Sequence, residues 1–373
     1  MRITNPIVAG RTKLLDSKLL PYIFFFLVAG IPALLFGKRW NKFAWPAAWL
    51  VFVIFVGLRH RIGGDWGSYI RINRNISEMS FMEAIGHNDS LFSVLSWVSS
   101  GLGLGVYGTN FVGAIIFCTG LFSYCARLPN RWLALCAATP FLVVASVMSA
   151  SRQGIAVGVF FLVLAYWKEL SMRGRVFGII VAGFFHTSAF VTLTLAIVDL
   201  RIGVIRKSML AIFAGAGTLW LMSISETGLD QYTRIYVTEQ ETEASGAVLH
   251  LLLNLLPALA MLITRKWWVK RLPSWPLLRV LCLLAIALAV LVPFYTQAVS
   301  RMSLYLFPIS ITFFGCLPLM LKSSASRAFV RFGSVTLLLV VLTVWVGFSN
   351  QSFAYLPYRN VLTTSFNDLD LPQ

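Results

Sequence analysis

A few residues able to do chemistry stand beside long apolar runs in this sequence. The first group reads Arg59-His60-Arg61-Ile62-Gly63-Gly64-Asp65-Trp66-Gly67-Ser68-Tyr69 and begins where an apolar run ends. Gly63 and Gly64 permit a tight turn or a close approach of backbone to ligand. They keep Asp65 within reach of two arginines. The second group, Ser151-Arg152-Gln153-Gly154, lies between two apolar runs with almost no loop. An arginine near the centre of a membrane helix costs at least about 2.5 kcal/mol and is a functional candidate by default. The third is His186, within Phe184-Phe185-His186-Thr187-Ser188. A group with an unperturbed pKa of about 6.5 suits general-base work. The fourth runs from Gln297 to Tyr305 and sets Arg301 between two apolar runs. The fifth, Tyr355-Leu356-Pro357-Tyr358-Arg359-Asn360, follows the last run.

Each group has a plainer reading. Asp65 could form a local ion pair, Arg152 could snorkel to an interface, and a lone histidine could be a packed residue. Together, however, five basic or polar groups fall on one membrane face. Arginine forks hold phosphate oxygens bidentately and stay charged. An anionic, lipid-linked substrate therefore fits better than a cation. No Asp or Glu falls in the middle of an apolar run, which argues against cation-coupled transport. In this reading Arg59, Arg152 and Arg301 are candidate phosphate-binding residues, with Arg61 and Arg359 as further members. Tyr69, Gln153, Tyr305 and Tyr358 are candidate positioning residues. Either Asp65 or His186 is the catalytic base.

The elements that must position these groups follow from composition. The 373 residues are 58% hydrophobic and 12% charged, against about 25% charged in soluble domains. Apolar runs of about 18 residues read as membrane spans, and they lack the period-two alternation of barrel strands. The expectation is an all-α, polytopic transmembrane bundle of 10–12 spans. Candidate spans are 19–37, 43–58, 108–126, 132–150, 153–167, 176–198, 209–224, 246–264, 277–299, 302–321 and 332–348. The Ser/Gly-rich stretch 91–104 reads as re-entrant or interfacial. No repeat or low-complexity segment divides the chain, so 1–373 is read as one membrane domain. Its parts are a basic tail (1–18), an external loop with a short helix (59–90), an acidic external loop (225–245) and an external C-terminal tail (349–373).

The net charge is +17. In a soluble protein this would suggest nucleic acid. Here most basic residues mark cytoplasmic loops, and no nucleic-acid partner is expected. Lys38–Lys42, Lys168–Arg175, Arg265–Arg271 and Lys322–Arg331 mark such loops. The charges on both sides of 176–198 favour a re-entrant hairpin with His186 near its tip, or a span count that is off by one. Cys118, Cys125, Cys136, Cys282 and Cys316 fall in or beside apolar runs, without metal-ligand spacing, and read as buried apolar residues.

The ordered set Arg59…Gly63…Asp65…Tyr69, Arg152-Gln153, His186-Thr187-Ser188-Ala189 and Arg301…Tyr305 resembles the EpsG-like branch of the bacterial Wzy-type polysaccharide polymerases. Pro357-Tyr358 is a further match, and the likeness spans about 20–360. The basic N-terminal tail departs from that pattern. The resemblance implies a GT-C-like membrane glycosyltransferase of the bacterial inner membrane, with its active site facing the periplasm. It implies polymerisation of O-antigen, capsule or exopolysaccharide units carried on undecaprenyl diphosphate. The growing chain passes to the non-reducing end of a new unit. A flippase, a chain-length regulator and membrane lipids are the implied partners. Metal-dependent relatives of such folds pair acidic residues in the first external loop. Asp65 is read as standing alone there, so neither metal nor cofactor is expected. The alternatives are an O-antigen ligase, a lipid-phosphosugar glycosyltransferase, an acyltransferase and a lipid-linked sugar flippase. The small 225–245 loop disfavours a ligase. The absence of repeats disfavours a transporter.

Overall fold

The computed structural model describes residues 6–35, 41–87, 89–199, 202–203, 206, 209, 240–293 and 296–371, and among these there is no strand. The described residues form sixteen α-helices. In chain order they are α1 (Pro6–Leu35), α2 (Asn41–Gly57), α3 (Trp66–Ser77), α4 (Phe81–Gly86), α5 (Ser90–Gly101) and α6 (Gly105–Ala126). Next come α7 (Arg131–Ala138), α8 (Ser151–Ala165), α9 (Met172–Phe185), α10 (Leu193–Ala196), α11 (Gln240–Ile263) and α12 (Arg265–Arg271). The last are α13 (Trp275–Leu291), α14 (Thr296–Ser303), α15 (Phe307–Cys316) and α16 (Ser324–Phe348).

Four helical stretches are long and apolar enough to cross a membrane: Ser17–Leu35, Gly105–Ala126, Val299–Met320 and Ser324–Phe348. Shorter apolar helices, Lys42–Gly57, Arg131–Val147, Ser151–Ala165, Leu251–Ile263 and Trp275–Leu291 among them, fill the bundle. Helices suit this setting because they satisfy every backbone N–H and C=O internally where no water can. The protein is thus a polytopic, all-α membrane protein.

The centre of the bundle is the α6–α8 pair, and small residues let it form. A Cβ on Gly158 would stand 2.4 Å from the Phe117 Cα. One on Gly120 would stand 1.8 Å from the Gly158 carbonyl oxygen. Backbones approach this closely in membrane bundles only through small residues. The close contact holds the N-termini of α6 and α8 side by side, at the end where the sequence gathers its polar groups. Around it, α2 packs on α6, α9 on α8, and α7 on α15. Phe25 of α1 stacks on Phe55 of α2 with centroids 4.0 Å apart, which ties the first two helices to the same core.

The structure differs from the span expectations at four places. The basic tail expected over 1–18 belongs largely to α1, which runs unbroken from Pro6. The 132–150 run is α7 continued by a π-helical stretch, Thr139–Val147, so its final turns are wider than an α-helix. The 59–90 loop contains two helices, α3 and α4. Residue 186 breaks the 176–198 run, with His186 extended at φ −159° and ψ 121°. A 3-10 turn, Thr187–Thr192, follows and packs back on α9, with the Phe190 ring against Gly183. His186 therefore sits at a turn. Most of the candidate span 209–224 and of the acidic loop 225–245 lies outside the described residues.

The Gly158 contact gives a direct test. Gly158→Val should lower the thermal stability of the detergent-solubilised protein by about 1–3 kcal/mol through overpacking. An unchanged melting curve would show that α6 and α8 need no such approach.

Candidate active site

The site is organised by Asp89, the residue that precedes α5. Its backbone is left-handed, with φ 52° and ψ 50°. Asp is among the few non-glycine residues that tolerate this conformation. The turn drives the carboxylate inward, where the side chain keeps only 4% of its exposure. There Oδ2 accepts from Arg152 Nη1 at 3.1 Å and from the His186 ring Nδ1 at 3.1 Å. Oδ1 accepts from the Thr187 backbone N–H at 2.9 Å and from its hydroxyl at 3.0 Å. A buried carboxylate is tolerated because it is paired and fully hydrogen-bonded. Burial works against its charge, but His186, Arg152 and the Thr187 N–H outweigh it and hold the carboxyl below its ordinary range. An ionised carboxylate can only accept. The Nδ1 of His186 is therefore the donor, and Nε2 is the ring nitrogen that Asp89 does not engage.

Beside this cluster lies a cavity of about 300 Å³. Its walls include Asp65, Tyr69, Arg152, Gln153, His186 and Arg301. The N-terminal turn of α8 opens on it, with the Arg152 N–H donating to the Tyr69 hydroxyl at 3.2 Å. Helix N-termini carry a partial positive charge that favours anions. The Arg152 guanidinium also lies 5.8 Å from the centre of the Phe92 ring. Gln153 donates from Nε2 to the Arg301 carbonyl at 2.7 Å and so fixes α14 against α8. Beneath the cavity, Ser188 and Tyr305 share a hydrogen bond of 3.0 Å.

The remaining wall comes from Gly64, the π-helical stretch and the segment after α16. Gly63 has φ +105°, and a Cβ there would stand 2.1 Å from the Met148 carbonyl oxygen. Only glycine fits this approach of the first loop to the end of the π-helix. Gly63 N–H in turn donates to the Ala354 carbonyl at 2.9 Å, and His60 N–H to that of Arg359 at 3.0 Å. An isolated antiparallel bridge pairs Arg59 with Asn360. The tail is thus stitched to the first loop, and Gln351, Phe353 and Ala354 reach the cavity.

The structure brings six of the sequence-nominated residues to one cavity and places five elsewhere. Arg59 is only 2% exposed. It spends its donors on the Met148 and Val56 carbonyls, the Asn110 side chain and the Ser151 hydroxyl. It ties α2, α6 and α8 together and does not line the cavity, which corrects its expected contact with diphosphate. Arg61 grips Asp370 through two bonds, of 3.1 and 2.7 Å, and Arg359 is an exposed tail residue outside the cavity. Tyr358 stacks on Phe55 at 4.1 Å and donates to the Phe55 carbonyl, so it is a packing residue. Tyr305 does not line the cavity and is bonded to Ser188 and Gln153.

Sequence reading missed Asp89. It lies in the same loop as Asp65, so Asp65 does not stand alone there. The available signal was an Asp directly before an apolar Ser-rich helix, a helix-start pattern. Nothing in the sequence distinguished it from an ordinary cap, and its side chain in fact makes no capping bond.

The tail anchor is testable. Arg61 and the Trp66 indole hold the Asp370 carboxyl below its ordinary range, against some desolvation. A depressed carboxyl anchors the tail above its unfolded pKa of about 3.9 and releases it as pH falls through the folded value. Limited proteolysis should therefore cut the tail more readily below about pH 4, and at neutral pH in Asp370→Asn. A tail equally resistant in wild type and variant would refute the anchor.

Comparison with known proteins adds one finding. No curated protein and no solved structure matches the chain. The model of the EpsG family matches residues 42–360, most of the chain and every wall of the cavity. That match supports a general role like that of a polysaccharide polymerase, and the protein belongs to the EpsG family.

Proposed function

We propose that the protein is a membrane glycosyltransferase of Wzy type. It transfers a polysaccharide chain from undecaprenyl diphosphate to the non-reducing end of a new lipid-linked repeat unit. One observation carries the reading: Asp89 holds His186 and Arg152 together on one cavity wall. The pair joins a proton acceptor to a fixed cation, the two things this transfer needs.

In the proposed step, an acceptor sugar hydroxyl attacks the anomeric carbon of the donor. Its proton passes to His186 Nε2, the carbon–phosphate oxygen bond breaks, and the diphosphate departs with the electron pair. A diphosphate is a weak base, so positive charge replaces a general acid. Arg152, Arg301 and the N-terminal turn of α8 supply that charge, and such preorganised electrostatics is often the largest catalytic contribution. Asp89 fixes the tautomer and direction of His186 as the carboxylate of a hydrolase triad does. This favours His186 over Asp65 as the base and leaves Asp65, with Tyr69 and Gln153, to hold sugar hydroxyls. Arg59 and Arg61 serve as positioning residues. The basic loops at the far ends of α6 and α8 support a cytoplasmic assignment for that side. The cavity then faces the periplasm of a bacterial inner membrane, where a flippase delivers units and a chain-length regulator acts on the product.

The test is a polysaccharide ladder on a gel, from a deletion strain complemented with wild type or variants at equal membrane abundance. His186→Ala should lower polymerisation by about 10²–10⁴-fold, the usual worth of a positioned base, and leave single repeat units. Asp89→Asn should match it, while Asp65→Asn should retain partial activity. Loss of the single unit together with the ladder in the deletion strain would move the protein to unit supply or ligation. A full ladder from His186→Ala would remove the histidine from the chemistry.

A further inference from the structure

A second cavity, of about 290 Å³, lies at the opposite end of the bundle. It opens between the C-termini of α6 and α8 and the start of α13. Its interior is aliphatic, with Leu164, Ala165, Leu277, Leu278 and Leu281 on its walls. The polar pair at the back, Tyr124 and Thr312, is satisfied internally by a 2.7 Å hydrogen bond. Nothing inside therefore asks for a polar ligand.

The rim is different. Arg127 and Lys168 stand on it, both exposed, with Glu169 between them in charge. Arg127 is held by two partners, an ion pair with Glu169 and the Tyr166 ring 4.5 Å from its guanidinium carbon. Lys168 makes no ion pair among the described residues. Two cations and one anion leave one net positive charge. Arg175, stacked 4.7 Å over the rim residue Trp167, adds another cation to the same edge. Ser274 and the first turn of α13 complete the rim, and that turn contains no acidic residue. The basic residues Lys168, Arg173 and Arg175 at these helix ends set the cavity mouth at the level of a membrane–water interface.

An aliphatic slot under a cationic rim at interface height has the chemistry of one ligand class. We propose that this cavity binds a single anionic phospholipid, with an acyl chain in the slot and the phosphate between Arg127 and Lys168. The site is independent of the transfer chemistry at the other end. It would brace the α6–α8 pair at the end away from the catalytic wall. A zwitterionic lipid would fill the same slot but bring its own ammonium to the cationic rim.

Native mass spectrometry of the detergent-purified full chain tests this, with phosphatidylglycerol, phosphatidylethanolamine and a polyprenyl phosphate added separately and in pairs. Phosphatidylglycerol should be retained at one molecule per chain, in preference to phosphatidylethanolamine. Retention should fall about fivefold in Arg127→Gln and again in Lys168→Gln, the scale of one basic side chain near an anionic headgroup. Ala165→Leu, which fills the slot and leaves the rim intact, should also lose it. Lys322→Gln, a basic residue outside the cavity, should leave it unchanged. Should Ala165→Leu fail to fold, by gel filtration, the two rim variants decide the matter. Equal retention of both phospholipids, an equal loss in Lys322→Gln, or displacement of phosphatidylglycerol by the polyprenyl phosphate would overturn the proposal.

Discussion

The site depends on one buried carboxylate. Asp89 meets four donors from two distant segments, Arg152 at the start of α8 and His186-Thr187 at the break after α9. A carboxylate in an apolar interior is unfavourable unless its partners are complete. That requirement makes the arrangement mutual. The Arg152 side chain keeps only 23% of its exposure beside this carboxylate, and Asp89 could not be buried without Arg152 and the histidine. The break in the helix at His186 has the same origin, because an α-helix continued through residue 187 would give the Thr187 N–H to its own backbone. Local structure is here set by the needs of one charge.

The second constraint is distance between backbones. Gly120 and Gly158 bring α6 and α8 together, and Gly63 brings the first loop against the end of the π-helix. These contacts turn sequence-distant polar groups into neighbours. Arg59 reinforces them from inside, with hydrogen bonds to three helical segments. A guanidinium carries five donors in a rigid fork, and this one is used as a fastener. Buried arginine is therefore not one functional class in this protein. Arg59 holds the frame, while Arg152 belongs to the cavity wall.

The sequence made the helical class legible because apolar runs of membrane length have few other readings. It also brought forward the glycine loop, Arg152, Gln153, His186 and Arg301, because polar groups beside apolar runs are costly and conspicuous. It did not separate Arg59 from Arg152, since both are arginines at span ends and differ only in what surrounds them. Asp89 stayed hidden for a related reason. An Asp before a helix is common, and only the left-handed turn at that residue swings its side chain inward. Tyr358 and Arg359 were drawn in by their composition, whereas the tail contributes mainly backbone hydrogen bonds, which no side-chain pattern reveals. The exposure of helix ends and the π-helical widening over Thr139–Val147 are likewise tertiary facts.

The tail that crosses the first loop has a consequence for biogenesis. The cavity wall is drawn from residues near 64, 150, 186, 301 and 353, so it spans almost the whole order of synthesis. A chain entering the membrane helix by helix holds Arg152 and His186 long before the strip after α16 exists. Until that strip is laid against Gly63, the pocket has an open side and admits bulk water. Completion of the fold and completion of the cavity wall are then the same event.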